Sequence, residues 1–154
     1  MNSDFRDLLR LFAKHKVRCL VIGGYAVIHY TQPRFTKDLD LWIEPTRLNA
    51  KRAAAAMRDF GVPLIEITEA DLATEGTQFL IGRSPVQIDF LTSAPPLDFA
   101  SCWKRRKRSI EDGFTVSYLS RSDLQVAKRH AGRQIDLADL EELERTTQLR
   151  RTRK

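Results

Sequence analysis

The chain has 154 residues, 42% hydrophobic and 30% charged, which fits one folded domain and argues against a disordered or fibrous chain. Lysine and arginine number 26 against 20 acidic side chains, a formal +6, and that balance favours an anionic partner such as a nucleic acid, a nucleotide or an acidic surface. No apolar run nears the roughly 20 residues of a membrane span, no signal-peptide pattern opens the chain, and the two cysteines, Cys19 and Cys102, lack the spacing of a disulfide framework or metal site, so a cytoplasmic protein with no membrane partner is expected.

Ser3 is placed to cap a first helix, with Phe5, Leu8, Leu9 and Phe12 on one face. The β-branched apolar run at 17–22 reads as a buried strand ended by Gly23-Gly24. A short helix over 25–30 breaks near Pro33, and 39–43 alternates apolar with acidic residues as a second strand. Thr46 caps a helix whose stripe is Ala50, Ala53, Ala54, Met57 and Phe60, with Gly61 as its stop. Strands are expected at 62–67, at 77–81 and 86–91 as a hairpin across the loop 82–85, and at 114–119. Helices follow over 124–131 and 137–149, with Gly132 between them. The expected class is α+β: a mixed sheet with helices packed mainly on one face, in a single domain over 1–149 with a basic tail at 150–154.

The positive charge is concentrated in the run K-R-R-K-R at 104–108 and in the tail, and the remainder is mildly acidic. Both clusters fit the phosphates of an RNA, and both equally fit a solvated helix face and a loose end.

Two carboxylates, Asp38 and Asp40, stand two apart on the second strand. Residues i and i+2 of a strand share a face, about 7 Å apart along the chain. They repel unless a divalent cation, which prefers hard oxygen ligands, resolves the repulsion. Asp89 lies in the apolar run V-Q-I-D-F-L, where a carboxylate needs a partner. If its strand lies beside that of Asp38 and Asp40, three carboxylates converge in the manner of a magnesium site for phosphoryl or nucleotidyl transfer. Gly23-Gly24 joins a strand to a helix, where a phosphate can approach bare backbone and free N–H groups. Arg34 and Lys37 precede the carboxylates and suit a triphosphate.

The stretch Gly23-Gly24, Arg34-x-Thr36-x-Asp38-Leu39-Asp40 resembles the signature of the nucleotidyltransferase superfamily, and more narrowly the small bacterial nucleotidyltransferase-like proteins related to the AbiEii and MenT toxins. A second shared element runs through Asp123, Lys128, Ala131-Gly132-Arg133, Asp136 and Asp139-Leu140. The resemblance implies a nucleotidyltransferase-like fold. It implies that Asp38, Asp40 and Asp89 hold two magnesium ions, with Asp89 also activating the acceptor hydroxyl. Gly23 and Gly24 would cradle the β- and γ-phosphates, Lys128 would contact the triphosphate, and Arg34, Thr36 and Lys37 would line the nucleotide entrance. Asp136 is an additional candidate for the site, and by type also a natural cap for the last helix, with Asp139 at its third position. Many relatives carry Gly-Ser where this chain has Gly24-Tyr25, so phosphate binding here would rest on backbone N–H groups. The implied reaction moves NMP from an NTP to an acceptor. The tRNA 3′ end is the first expectation, in a toxin held by a cognate antitoxin. A protein acceptor, or a non-catalytic nucleotide- or RNA-binding module, is the alternative.

Overall fold

The computed structural model describes residues 1–65, 67–83 and 85–152. Helix α1 (Ser3–Lys14) buries Phe5, Leu8, Leu9 and Phe12. Its cap is Asn2 rather than Ser3: the Asn2 side chain lies one residue earlier and accepts from the Asp4 N–H at 2.7 Å. Val17 N–H bonds back to Phe12 O, so strand β1 (Cys19–Ile22) starts two residues later than the apolar run suggests. Helix α2 (Gly23–Tyr30) follows without a break, then strand β2 (Asp38–Ile43) and helix α3 (Arg47–Phe60). Thr46 caps α3 by accepting from Asn49 N–H, and Gly61 ends it at φ 97°.

The strand expected at 62–67 does not form. Val62 N–H closes the turn after α3 on Met57 O, Pro63 has no ladder donor, and Val62 and Ile67 reach the core from a loop. Glu66 lies outside the described residues. The loop leads into helix α4 (Glu69–Leu72), held by a Thr68–Asp71 capping box. Strands β3 (Gln78–Arg83) and β4 (Val86–Leu91) pair antiparallel, and Ser84 of their connection lies outside the described residues.

Helix α4 had no expectation, and neither did two further elements. Helix α5 (Phe99–Arg105) is capped by Asp98, which accepts from Ser101 N–H at 3.0 Å. Strand β5 (Lys107–Glu111) pairs with β6 (Phe114–Tyr118) through Asp112-Gly113, both at positive φ. That Asp-Gly pair is a hairpin signal. Helix α6 (Arg121–Ala131) is capped by Ser120 and ends at Gly132. Helix α7 (Gln134–Thr152) starts three residues before the expected bound and takes Arg150 and Arg151 into its last turn. Arg153 and Lys154 lie outside the described residues.

Among the described residues, six strands form one mixed sheet of order β3-β4-β2-β1-β6-β5, with seven helices around it. β2 runs antiparallel to β1 and parallel to β4. Leu39, Leu41 and Ile43 share a face with Ile88 and Phe90, and that face meets α1, with Phe12 against Phe90 at 6.1 Å. Asp38, Asp40 and Trp42 point to the other face, where Trp42 packs edge-on against Phe99 of α5. No helix among the described residues is long and apolar enough to cross a membrane.

Candidate active site

The sheet register brings the separated carboxylates together. Asp40 of β2 lies directly across from Asp89 of β4, and Asp38 lies one pleat away on the same face. Ile22, the last residue of β1, pairs with Asp40 from the other side, so the start of α2 lies against the same carboxylates. The cap position, Ile22, has no side chain able to bond the first N–H groups of α2. Gly23 sits at φ 66°, and a Cβ there would collide with Asp40 Oδ2; a Cβ on Gly24 would collide with Thr36 Oγ1. Only glycine leaves this helix start open. Tyr25 packs its ring edge-on against Phe5, so the backbone carries the donors at this point.

The electrostatics follow from burial and like charge. Asp40 is pushed up to about 7, first by burial and then by the charges of Asp89 and Asp38, against the smaller pull of Lys128 and Arg133. Asp89 is also raised, first by burial, although Gln78 Nε2 donates to its Oδ2 at 2.8 Å. The other oxygen of Asp89 and Oδ1 of Asp38 are buried without a hydrogen-bond partner. Orphaned carboxylate oxygens beside a half-neutralised third carboxylate form a donor set that fits a hard divalent cation. As the side chains lie, no three acidic, histidine or cysteine groups among the described residues form a ready-made ion cage, so the fit rests on donor type and unmet bonding.

One open cavity of about 520 Å³ is lined by Gly23, Gly24, Arg34, Thr36, Lys37, Asp38, Asp40, Asp89 and Lys128. Asp136 does not line it. It is 1% exposed, behind Lys128. It is not the cap of α7 either, because that helix begins before it; it accepts from Arg133 N–H and the Arg133 guanidinium while holding Lys128. Burial works against its charge, but the Arg133 hydrogen bond and Lys128 outweigh it and hold its carboxyl below the usual range. Asp139 lies in the second turn of α7 and bridges Arg34 Nη2 at 2.9 Å and Lys128 Nζ at 3.0 Å. A chain of ion pairs therefore runs from Arg34 through Asp139, Lys128 and Asp136 to Arg133. It ties the loop before β2 to the corner between α6 and α7.

Gln78, Arg133, Ile135 and Asp139 also line the cavity and were not expected there as site residues. Asp139 and Arg133 do fall in the second shared element; nothing local marks Gln78. The basic run at 104–108 stands elsewhere and is divided. Arg105 forks onto Asp123 at 2.9 and 3.0 Å, and Lys107 and Arg108 fall on β5.

No protein-family model matches the chain, and no curated protein matches it. Among solved structures it is similar to the lincosamide antibiotic adenylyltransferase LnuA with lincomycin bound, at a TM-score of 0.62 and 16% identity over 94% of this chain and 96% of that one. At that identity the likeness is one of fold: the mixed six-stranded sheet and its helices have the architecture of a nucleotidyltransferase structure.

Proposed function

We propose that this protein is a magnesium-dependent nucleotidyltransferase that moves NMP from an NTP to an RNA hydroxyl, foremost at a tRNA 3′ end, and releases pyrophosphate. The observation that carries the reading is the meeting, in one cavity, of an open helix start at Gly23-Gly24 with Asp38, Asp40 and Asp89 on one sheet face. The first N–H groups of α2 receive the β- and γ-phosphates, helped by the positive end of the helix dipole. Asp38, Asp40 and Asp89 are the residues that would hold two magnesium ions. Such ions, when bound, neutralise phosphate charge and lower the pKa of an attacking hydroxyl. In this reading Asp89, whose Oδ2 accepts from Gln78 Nε2, takes the acceptor proton. Arg34 and Lys128, aligned by Asp139, set positive charge along the triphosphate.

The toxin role, and neutralisation by a cognate antitoxin, rest on the two motif stretches that resemble the AbiEii- and MenT-related proteins. A second reading has a small-molecule acceptor. The fold neighbour is named for a lincosamide antibiotic, and a cavity of about 690 Å³ bordered by Tyr25, His29 and Tyr118 shares Arg34, Phe35 and Thr36 with the carboxylate cavity.

The test incubates the protein and magnesium with each α-labelled NTP and, in separate arms, total tRNA, a host protein extract and lincomycin. Label on tRNA is the expected result. Label only on protein or only on lincomycin replaces the acceptor, and no label in any arm leaves a binding module. Asp38→Ala with Asp40→Ala must abolish transfer; residual transfer by that variant would refute the assigned site. Growth arrest on expression, absent in the same variant, tests toxicity.

A further inference from the structure

A third cavity, also of about 690 Å³ but separate from the one beside Tyr25, opens at the other end of β1. Arg18 borders it just before the strand, whereas Gly23 borders the carboxylate cavity just after it. The strand rise separates the two by roughly 17 Å. Arg10, Lys14 and Lys16 enter this cavity from the end of α1 and the turn beyond it. Arg106 and Arg108 enter from the end of α5 and from β5, and Arg18 and Arg52 complete the wall. Among the described residues, no acidic side chain lines it. Seven cations around one hollow exceed the +6 of the whole chain.

Compensation inside the protein is slight. Arg18 meets Glu44 and Arg10 meets Asp7, each at 3.4 Å on the surface. Among the described residues, Lys14, Lys16, Arg52, Arg106 and Arg108 form no salt bridge. Arg106 is the sharpest case. Its guanidinium lies 3.9 Å from the Trp103 ring centroid and its Nη1 donates to Trp103 O at 2.8 Å, but its Nε is buried with no acceptor. Burial, then Arg108 and Arg18, press its pKa downward. A cationic donor in that state is completed by an anionic oxygen. Trp103 offers no free face for a base, since Arg106 covers it and Phe99 stacks on it. The cavity is therefore built for phosphates and not for base reading.

We infer that this cavity clamps the phosphate backbone of the RNA acceptor, at a distance from the end that enters the carboxylate cavity. The inference rests on the RNA reading of the acceptor.

The test is anisotropy of a labelled tRNA with the full-length chain in EDTA and without NTP. Lys14→Glu with Arg108→Glu alters two exposed cations of the cavity. Lys104→Glu with Lys107→Glu, two exposed cations of the same basic run outside the cavity, makes the equal change in net charge. Thermal melting checks that both variants are folded. The cavity variant is expected to weaken binding about tenfold and to lower the slope of log K against log salt by roughly 1.4 to 1.8, as loss of two phosphate contacts requires. The control variant is expected to leave both nearly unchanged. Equal losses in the two variants, or none in either, overturn the clamp. So does inorganic triphosphate that saturates the cavity one-to-one and displaces the RNA, because the ligand is then a small polyphosphate. RNA binding that depends on Lys14 and Arg108, without NMP transfer to RNA, overturns the proposed acceptor and leaves the clamp. Transfer to RNA that the cavity variant does not disturb overturns the clamp and leaves the function.

Discussion

Asp40 concentrates the chemistry of the candidate site in one side chain. It lies between Ile22 and Asp89 in the sheet, and burial with the charges of Asp89 and Asp38 pushes its carboxyl up from 3.8 to about 7. A carboxyl whose folded pKa is raised binds its proton more tightly in the folded state. Stability therefore falls as pH rises from about 4 through about 7, and the full penalty, on the order of 4 kcal/mol, stands above that window. Asp40→Asn removes the penalty. In EDTA at pH 8 the variant is expected to melt several degrees above the parent, and at pH 4 the two are expected to coincide. A difference that is the same at both pH values would assign the effect to packing. Gly23 belongs to the same scale. Its φ of 66° and the neighbouring Asp40 Oδ2 leave no room for a methyl group. Gly23→Ala is expected to lose about 1–3 kcal/mol in urea unfolding and to lose NTP binding, measured by equilibrium titration.

At the scale of elements, the corner between α6 and α7 acts on the loop before β2 through Asp139. That carboxylate, 5% exposed, holds Arg34 and Lys128 at once. Asp139→Asn keeps the shape but removes the charge that aligns both cations. NTP affinity is expected to fall about tenfold with a stability loss of about 1.5–3 kcal/mol, checked by titration and chemical unfolding. A mere structural role would lower stability and leave NTP affinity unchanged. The carboxylates and the glycine pair were legible in the sequence because strand alternation and a strand-to-helix junction are local patterns: Asp38, Asp40 and Gly23-Gly24 declare their faces within a few residues. The strand at 62–67 was misread because apolar content alone does not distinguish a loop that plugs the core from a ladder. Strand β5 was hidden by its charge, although Asp112-Gly113 marked its turn.

For the whole molecule, the carboxylate cavity and the basic cavity open at opposite ends of β1, and the charge is divided between them. Magnesium is expected to raise the melting temperature at pH 8, since a ligand bound only by the folded chain stabilises it, and EDTA is expected to reverse the rise. Asp38→Ala with Asp40→Ala is expected to abolish it. The sequence by itself determined the α+β class, the two-residue spacing of Asp38 and Asp40, the open backbone at Gly23-Gly24 and the excess of cations, because each follows from neighbours along the chain. Only the tertiary structure decided that Asp89 stands across from Asp40, that Asp139 reaches Arg34 over 105 positions, and that the cations of the α1–β1 turn join Arg106 and Arg108 while Arg105 is tied to Asp123. Those pairings come from sheet register and helix docking, in which residues far apart in the chain are brought together by burying a common core.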